Sequence, residues 1–147
     1  MIKLTEELCI ADEKDRIEAI ELLIESELPV SDLDENKKLY VLKKYNRIIG
    51  TGGLEFFNAC ALLRSISVQK NERGKGLGQL ITSRLENIAK GRGVDCLYLL
   101  TTTAIHFFIK EGYNPVDRNE VPEAIQKSSE FESICPSTAV VMKKALK

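Results

Sequence analysis

Gln69-Lys70-Asn71-Glu72-Arg73-Gly74-Lys75-Gly76-Leu77-Gly78-Gln79-Leu80 packs three glycines and three cations between an apolar run and a helical pattern. A turn of this kind, flexible and positive, calls for a reason. A Walker phosphate loop needs Gly-x4-Gly-Lys-Ser/Thr, but Gln69 stands where its first glycine belongs and Gly76 follows Lys75. A dinucleotide fingerprint needs Gly-x-Gly-x-x-Gly, and its last position is Gln79. Asp95 lies about 20 residues on, as that fingerprint asks, yet it opens its apolar run instead of ending it. A third reading is a pyrophosphate cradle at a helix N-terminus. First-turn amides carry partial positive charge, glycines let the backbone approach an anion, and Arg73 and Lys75 add charge. A plain glycine-rich turn with solvated cations is the alternative.

To the left of the turn, Leu39–Lys44, Arg47–Phe57 and Ala59–Val68 read as three strands separated by short turns. Connections that short require antiparallel neighbours, since parallel strands need a long crossover. Further upstream, Ile2–Thr5 can open the sheet. Ile17, Ile20, Leu23 and Ile24 then recur at helical spacing until Leu28-Pro29, and Ser31–Asp34 reads as a loop or a short capped helix. To the right, Leu77, Leu80, Ile81, Leu85, Ile88 and Ala89 mark one helix face, closed by Gly91 and Gly93. Val94–Leu100 is nearly all apolar, as for a strand covered on both faces. Ala104–Lys110 reads as a short helix stopped by Gly112, Tyr113–Val116 as a strand, Val121–Glu132 as a polar helix and Thr138–Met142 as a closing strand. The resulting expectation is one α/β (α+β) domain over residues 1–147, a mixed, mainly antiparallel sheet flanked by helices.

With 147 residues, 44% of them hydrophobic, the chain is ordinary for a globular domain. Its net charge of −1 argues against a dedicated nucleic-acid binder. Neither a signal peptide nor a membrane-spanning run is read in it, so a cytoplasmic location is expected. Cys9, Cys60, Cys96 and Cys135 are widely spaced, and with His106 the single histidine no metal site is expected. The cysteines read as reduced, mostly buried small hydrophobes, Cys135 being the one suspected of exposure.

Arg73-Gly74-Lys75-Gly76-Leu77-Gly78 resembles the Arg/Gln-x-x-Gly-x-Gly/Ala motif of the GNAT acyltransferases. Ala104-Ile105-His106-Phe107-Phe108-Ile109-Lys110-Glu111-Gly112-Tyr113 resembles that superfamily's Ala-x-x-Phe-Tyr-x-x-x-Gly-Phe segment, and the strand order agrees. The runs Ala61–Val68, Leu97–Thr103 and Cys135–Met142 are similar to amino-acid N-acetyltransferases of the N-acetylglutamate synthase type and to small acetyltransferases associated with arsenic resistance. Val116-Asp117-Arg118 and Ser128-Ser129-Glu130-Phe131 favour the second group.

This resemblance implies acetyl-CoA as co-substrate and direct attack by a neutral amine on its thioester. It also implies cofactor contacts from Ile66, Val68, Arg73, Gly74, Lys75, Gly76, Leu77, Gly78, Thr101 and Phe108, and strands that splay to admit the cofactor arm. Two departures stand out: the Tyr that often protonates the leaving thiolate is Phe108, and the Asn that often opens that segment is Thr101. Tyr113, Ser129 or water are substitutes for the acid, and none is assigned.

Glu55 is the candidate base; a solvated carboxylate is its ordinary reading. His106 titrates in a useful range, but its neighbours read as core. Arg64 interrupts an apolar strand, so it either meets an acid internally or faces the acceptor cleft, where it could hold a carboxylate bidentately. The expected acceptor is a small, amino-acid-like amine with an anionic group. An acetyl-CoA-binding module without turnover and an enzyme acting on a protein amine are the alternatives. No nucleic-acid or membrane partner is expected, and a homodimer is a candidate assembly.

Overall fold

The structure is a computed structural model that describes residues 7–26, 28, 38–128 and 139–146. Its seven strands are β1 (Glu7–Ile10), β2 (Lys38–Lys44), β3 (Arg47–Phe57), β4 (Cys60–Val68), β5 (Cys96–Thr101), β6 (Asn114–Val116) and β7 (Val140–Ala145). They form one sheet in the order β1-β2-β3-β4-β5-β7-β6. Only β4 and β5 pair in parallel; all other neighbours are antiparallel. The mixed, mainly antiparallel architecture expected from the sequence is present.

The turns explain the meander. Tyr45 and Asn46 both have positive φ, 53° and 65°, the backbone of a two-residue hairpin whose twist suits the flanking strands. Asn58 makes the next turn with φ 56°; asparagine tolerates this conformation better than most residues.

Among the described residues four α-helices cover the sheet: α1 (Glu13–Glu25), α2 (Leu77–Gly91), α3 (Ile105–Lys110) and α4 (Glu123–Gln126). On one face, α2 and α3 pack over Leu54, Ala61, Leu63, Leu97 and Leu99. On the other, α1 covers Leu39, Val41 and Ile48, and α4 covers Leu62, Tyr98 and Val141. Strand β5 is therefore covered on both sides, as its apolar run requires.

Several expectations change. The first strand described is Glu7–Ile10; Ile2–Thr5, Pro29, Ser31–Asp34, Ser129 and Cys135 lie outside the described residues. Helix α1 buries Asp15, Ala19, Leu22 and Leu23, while Ile17 and Ile24 are exposed. Spacing alone did not give the phase, because isoleucines and leucines recur on two faces of this helix. Asp15 decides it: its carboxylate closes a capping box with Asp12 and meets Lys43 of β2 at 3.0 Å. The polar helix expected over Val121–Glu132 reduces, among the described residues, to the single turn of α4, preceded by a 3-10 turn at Arg118–Glu120. Of the described cysteines none is buried: Cys9 is exposed, and Cys60 and Cys96 are half-buried.

Candidate active site

The site begins where β4 and β5 part. Their parallel pairing comprises Cys60–Cys96, Ala61–Leu97 and Leu62–Tyr98, and β4 then continues to Val68 with no further β5 partner. A bulge directs the parting. The β3–β4 register shifts between Thr51 and Gly53, and opposite it Ser65 takes φ 61°. Bulges bend a strand and increase its twist. Thr51 Oγ1 donates to the Ser65 carbonyl at 2.8 Å and holds the bend.

The fork opens onto a cleft of about 720 Å3, within the usual size of a small-molecule site. Ile66 and Val68 form one wall. The glycine turn and the start of α2 form another, with Arg73, Gly74, Gly76, Leu77 and Gly78 all lining the space. Phe108 lines it from α3. Eight of the ten residues expected at the cofactor therefore converge here.

Gly76 caps α2 in the left-handed region at φ 79°, and Gly74 has φ 81°. No side chain caps this helix and no acid occupies its first turn. Its exposed amides thus keep the partial positive charge that suits an anion. Arg73 Nε donates to the Val68 carbonyl at 3.0 Å, tying the turn to the end of β4.

The other two residues are placed differently. Lys75 does not line the cleft; its ammonium lies 3.1 Å from Glu72 and holds that carboxyl below its ordinary range. It thereby neutralises an acid beside the anion-binding turn. Thr101 does not line the cleft either. Its hydroxyl accepts from the Ala104 amide at 3.0 Å and fixes the turn into α3.

Strand periodicity places Glu55 and Arg64 together on the face opposite α2, since Leu54 and Leu63 point into the α2 core. The guanidinium is 1% exposed at the side chain and its Nη1 lies 3.8 Å from Glu55 Oε1. Arg64 thus meets an acid, the first of the two readings its sequence position left open, and the acid is the very carboxylate singled out as a base. Neither residue lines the cleft, but both stand next to the point where the fork begins.

Tyr113 does not line the cleft. It is buried to 1% exposure and donates to Glu86 at 2.8 Å, away from the cleft. Burial first, then the nearby Glu86, raise its phenol far above the ordinary value. His106 is exposed and outside the cleft.

Sequence reasoning missed Ser26, Ser67, Thr103 and Phe107, all of which line the cleft. The Ser26 and Ser67 hydroxyls are hydrogen-bonded to each other, joining the end of α1 to β4. The Phe107 ring lies beside the third glycine, 3.4 Å from where a Cβ on Gly78 would stand, an ordinary contact. Ser26 carried no local signal, because only the packing of α1 brings it to the cleft.

The described sheet of seven strands forks between its parallel pair, with an uncapped glycine-led helix at the opening. A profile described as the acetyltransferase (GNAT) family matches residues 4–113. The chain belongs to this family. Among sequence relatives, amino-acid acetyltransferases of Salmonella arizonae and Escherichia coli K12 are 26% and 28% identical over 67% and 61% of the chain. The chain spans only 23% and 21% of their lengths, under a quarter of each.

In fold, the chain is similar to N-acetylglutamate synthase from Neisseria gonorrhoeae complexed with coenzyme A and N-acetyl-glutamate. That match has TM-score 0.83 and 17% identity, and covers 97% of this chain and 35% of that one. Rv2747 from Mycobacterium tuberculosis, solved in complex with CoA, matches with TM-score 0.79 and 16% identity over 96% of this chain and 99% of that one.

Proposed function

We propose that this chain transfers the acetyl group of acetyl-CoA to the amine of a small, amino-acid-like anionic acceptor, in a complex holding both. The observation that carries the reading is the forked cleft with an uncapped glycine-led helix at its mouth. The residues present fit coenzyme A: Gly74 and Gly76 leave room for a pyrophosphate against the α2 amides, with Arg73 beside them. Ile66 and Val68, on the strand that has lost its β5 partner, offer main-chain groups to an extended amide-bearing arm. Phe107 and Phe108, in edge contact at 4.9 Å between ring centres, supply the apolar side. Acetyl-CoA, when bound, supplies a thioester whose carbonyl carbon an amine can attack.

In this reading Arg64 and Glu55, which stand beside the start of the fork without lining the cleft, make the acceptor side by exchanging their contact with each other for the acceptor's two charges. Their separation of 3.8 Å is that of a loose ion pair, longer than a charge-assisted hydrogen bond of about 2.8 Å. An α-amino acid carries the complementary pair of charges: its carboxylate suits the Arg64 fork and its ammonium suits Glu55. In this role Glu55 takes the ammonium proton and releases the neutral amine. The names of the sequence relatives, amino-acid acetyltransferases, support the same acceptor class.

A second reading, an acetyl-CoA-binding module without turnover, is favoured by Phe108, which has no proton to give, and by the engagement of Tyr113 with Glu86. The two separate on turnover. A screen of amino acids and amino-acid-like oxyanions with acetyl-CoA is expected to find one that releases free coenzyme A thiol. Arg64→Lys keeps the charge and loses the planar fork, and is expected to raise that acceptor's KM by roughly ten- to a hundredfold, the equivalent of about 1.5–3 kcal/mol. Acetyl-CoA binding should survive the change. Loss of fold stability with an unchanged KM would make Arg64 purely structural, and acetyl-CoA binding without turnover on any amine would select the second reading.

A further inference from the structure

Cys60 opens β4 and Cys96 opens β5, and the parallel register sets them opposite each other at the closed end of the fork. Their sulfurs are 3.2 Å apart, one thiol donating to the other. Neighbouring strands run about 4.8 Å apart, inside the roughly 4.4–6.8 Å that a disulfide spans between Cα atoms. Bond formation, at about 2.05 Å, asks for little more than a side-chain rotation. Both residues are half-buried, so a small reagent reaches them. The segment between them contains the bulge at Ser65, the glycine turn and all of α2.

We propose that Cys60 and Cys96 form a thiol–disulfide site, oxidised by a small-molecule disulfide of the glutathione class, and that the bond staples the two halves of the sheet at the base of the cleft. One protein thiolate attacks a sulfur of the reagent, forming a mixed disulfide and releasing one reagent thiol. The second protein thiolate then displaces the other reagent thiol. The two cysteines lose two electrons and two protons in total, and the reagent takes them up as two thiols.

The surroundings set the rate. Burial first, then the hydrogen bond from Cys96, push the Cys60 thiol up to about 11; Cys96 and Asp95 add to the rise electrostatically and Lys143 of β7 opposes it. Attack by Cys60 is therefore slow near neutrality and faster as pH rises towards that value. This inference stands apart from the acetyl-transfer reading and is tested without turnover.

The native chain is incubated at pH 8 with oxidised or reduced glutathione, alkylated and digested, and its peptides are weighed. The expected product is a Cys60–Cys96 linked peptide, two hydrogen masses lighter than the separate peptides and absent under reduced glutathione. The same sample should melt about 5 °C or more higher, and the gain should vanish with reductant and in both Cys60→Ala and Cys96→Ala. Alkylation of both residues after oxidation, a persistent glutathione adduct on either, or linkage to a different cysteine overturns the site. A linked peptide with no rise in melting temperature overturns the staple. Because linkage is read in the wild-type chain, a variant that fails to fold does not remove the test.

Discussion

Gly76 is the residue at which the proposed pyrophosphate contact is tested most directly. Its φ of 79° suits glycine, yet a Cβ there would meet nothing within 4 Å. Size alone is therefore tolerated, and the cost of Gly76→Ala is backbone strain of about 1 kcal/mol. Gly76→Asp adds a carboxylate at the α2 amides, where it repels a phosphate. Acetyl-CoA is expected to raise the melting temperature of the wild type and of Gly76→Ala by mass action, and to leave Gly76→Asp unchanged. A shift of wild-type size in Gly76→Asp would place the pyrophosphate elsewhere.

Phe108 poses the complementary question, since it lines the cleft at a position where a hydroxyl would be useful. Phe108→Tyr should keep acetyl-CoA affinity nearly unchanged and keep or raise kcat. A rate that collapses in Phe108→Leu with the fold intact would show that the ring itself positions the thioester, through its edge contacts with Phe107 and Tyr113.

At the scale of elements, the glycines of β3 serve packing rather than catalysis. A Cβ on Gly52 would lie 2.6 Å from Leu85 Cδ1 and 2.8 Å from Ile81 Cγ2, and one on Gly50 would lie 2.6 Å from Ile81 Cδ1. Helix α2 can sit this close only because the strand beneath it lacks side chains there. Its N-terminus, and with it the proposed anion site, is positioned by that contact. Gly52→Ala is expected to destabilise the fold by roughly 1–3 kcal/mol through overpacking. Acetyl-CoA affinity should fall with it, because the start of α2 moves. Denaturant melts and ligand titration check the two effects together, and a stable variant with weakened binding would separate packing from positioning.

The whole molecule responds to pH through the pair that fastens α1 to the sheet. Burial raises the Asp15 carboxyl, but the hydrogen bond from Lys43 and those at Asp12 outweigh it, so the net shift is below the ordinary value of 3.8. Its contribution to stability is present above that value and is lost as pH falls through the lowered folded value. The hydrogen bond to Asp15 raises Lys43 above its ordinary 10.5, so the Lys43 contribution is present below 10.5 and fades as pH rises past it. Asp15→Asn keeps the acceptor that closes the capping box and removes the charge. Its melting temperature at pH 7 should fall by about 2–4 °C, corresponding to roughly 1 kcal/mol, with the gap to wild type closing below about pH 4. A gap constant with pH would assign the loss to the cap alone.

What the sequence by itself determined is local or periodic. Two-residue turns required the antiparallel meander, Gly93 and Gly112 ended helices at φ 84° and 97°, and three glycines beside cations marked the turn that leads into α2. These features depend on neighbours a few residues away, so the chain displays them directly. Tertiary structure decided what depends on distant partners. It set the phase of α1, fixed by Asp15 reaching Lys43. It joined Arg64 to Glu55. It also brought Ser26 to Ser67 across 41 positions of sequence, and Cys60 to Cys96 across 36. Each of these follows from the register of strands and the burial of one helix face, and charge and apolar surface find those partners only after the sheet has assembled.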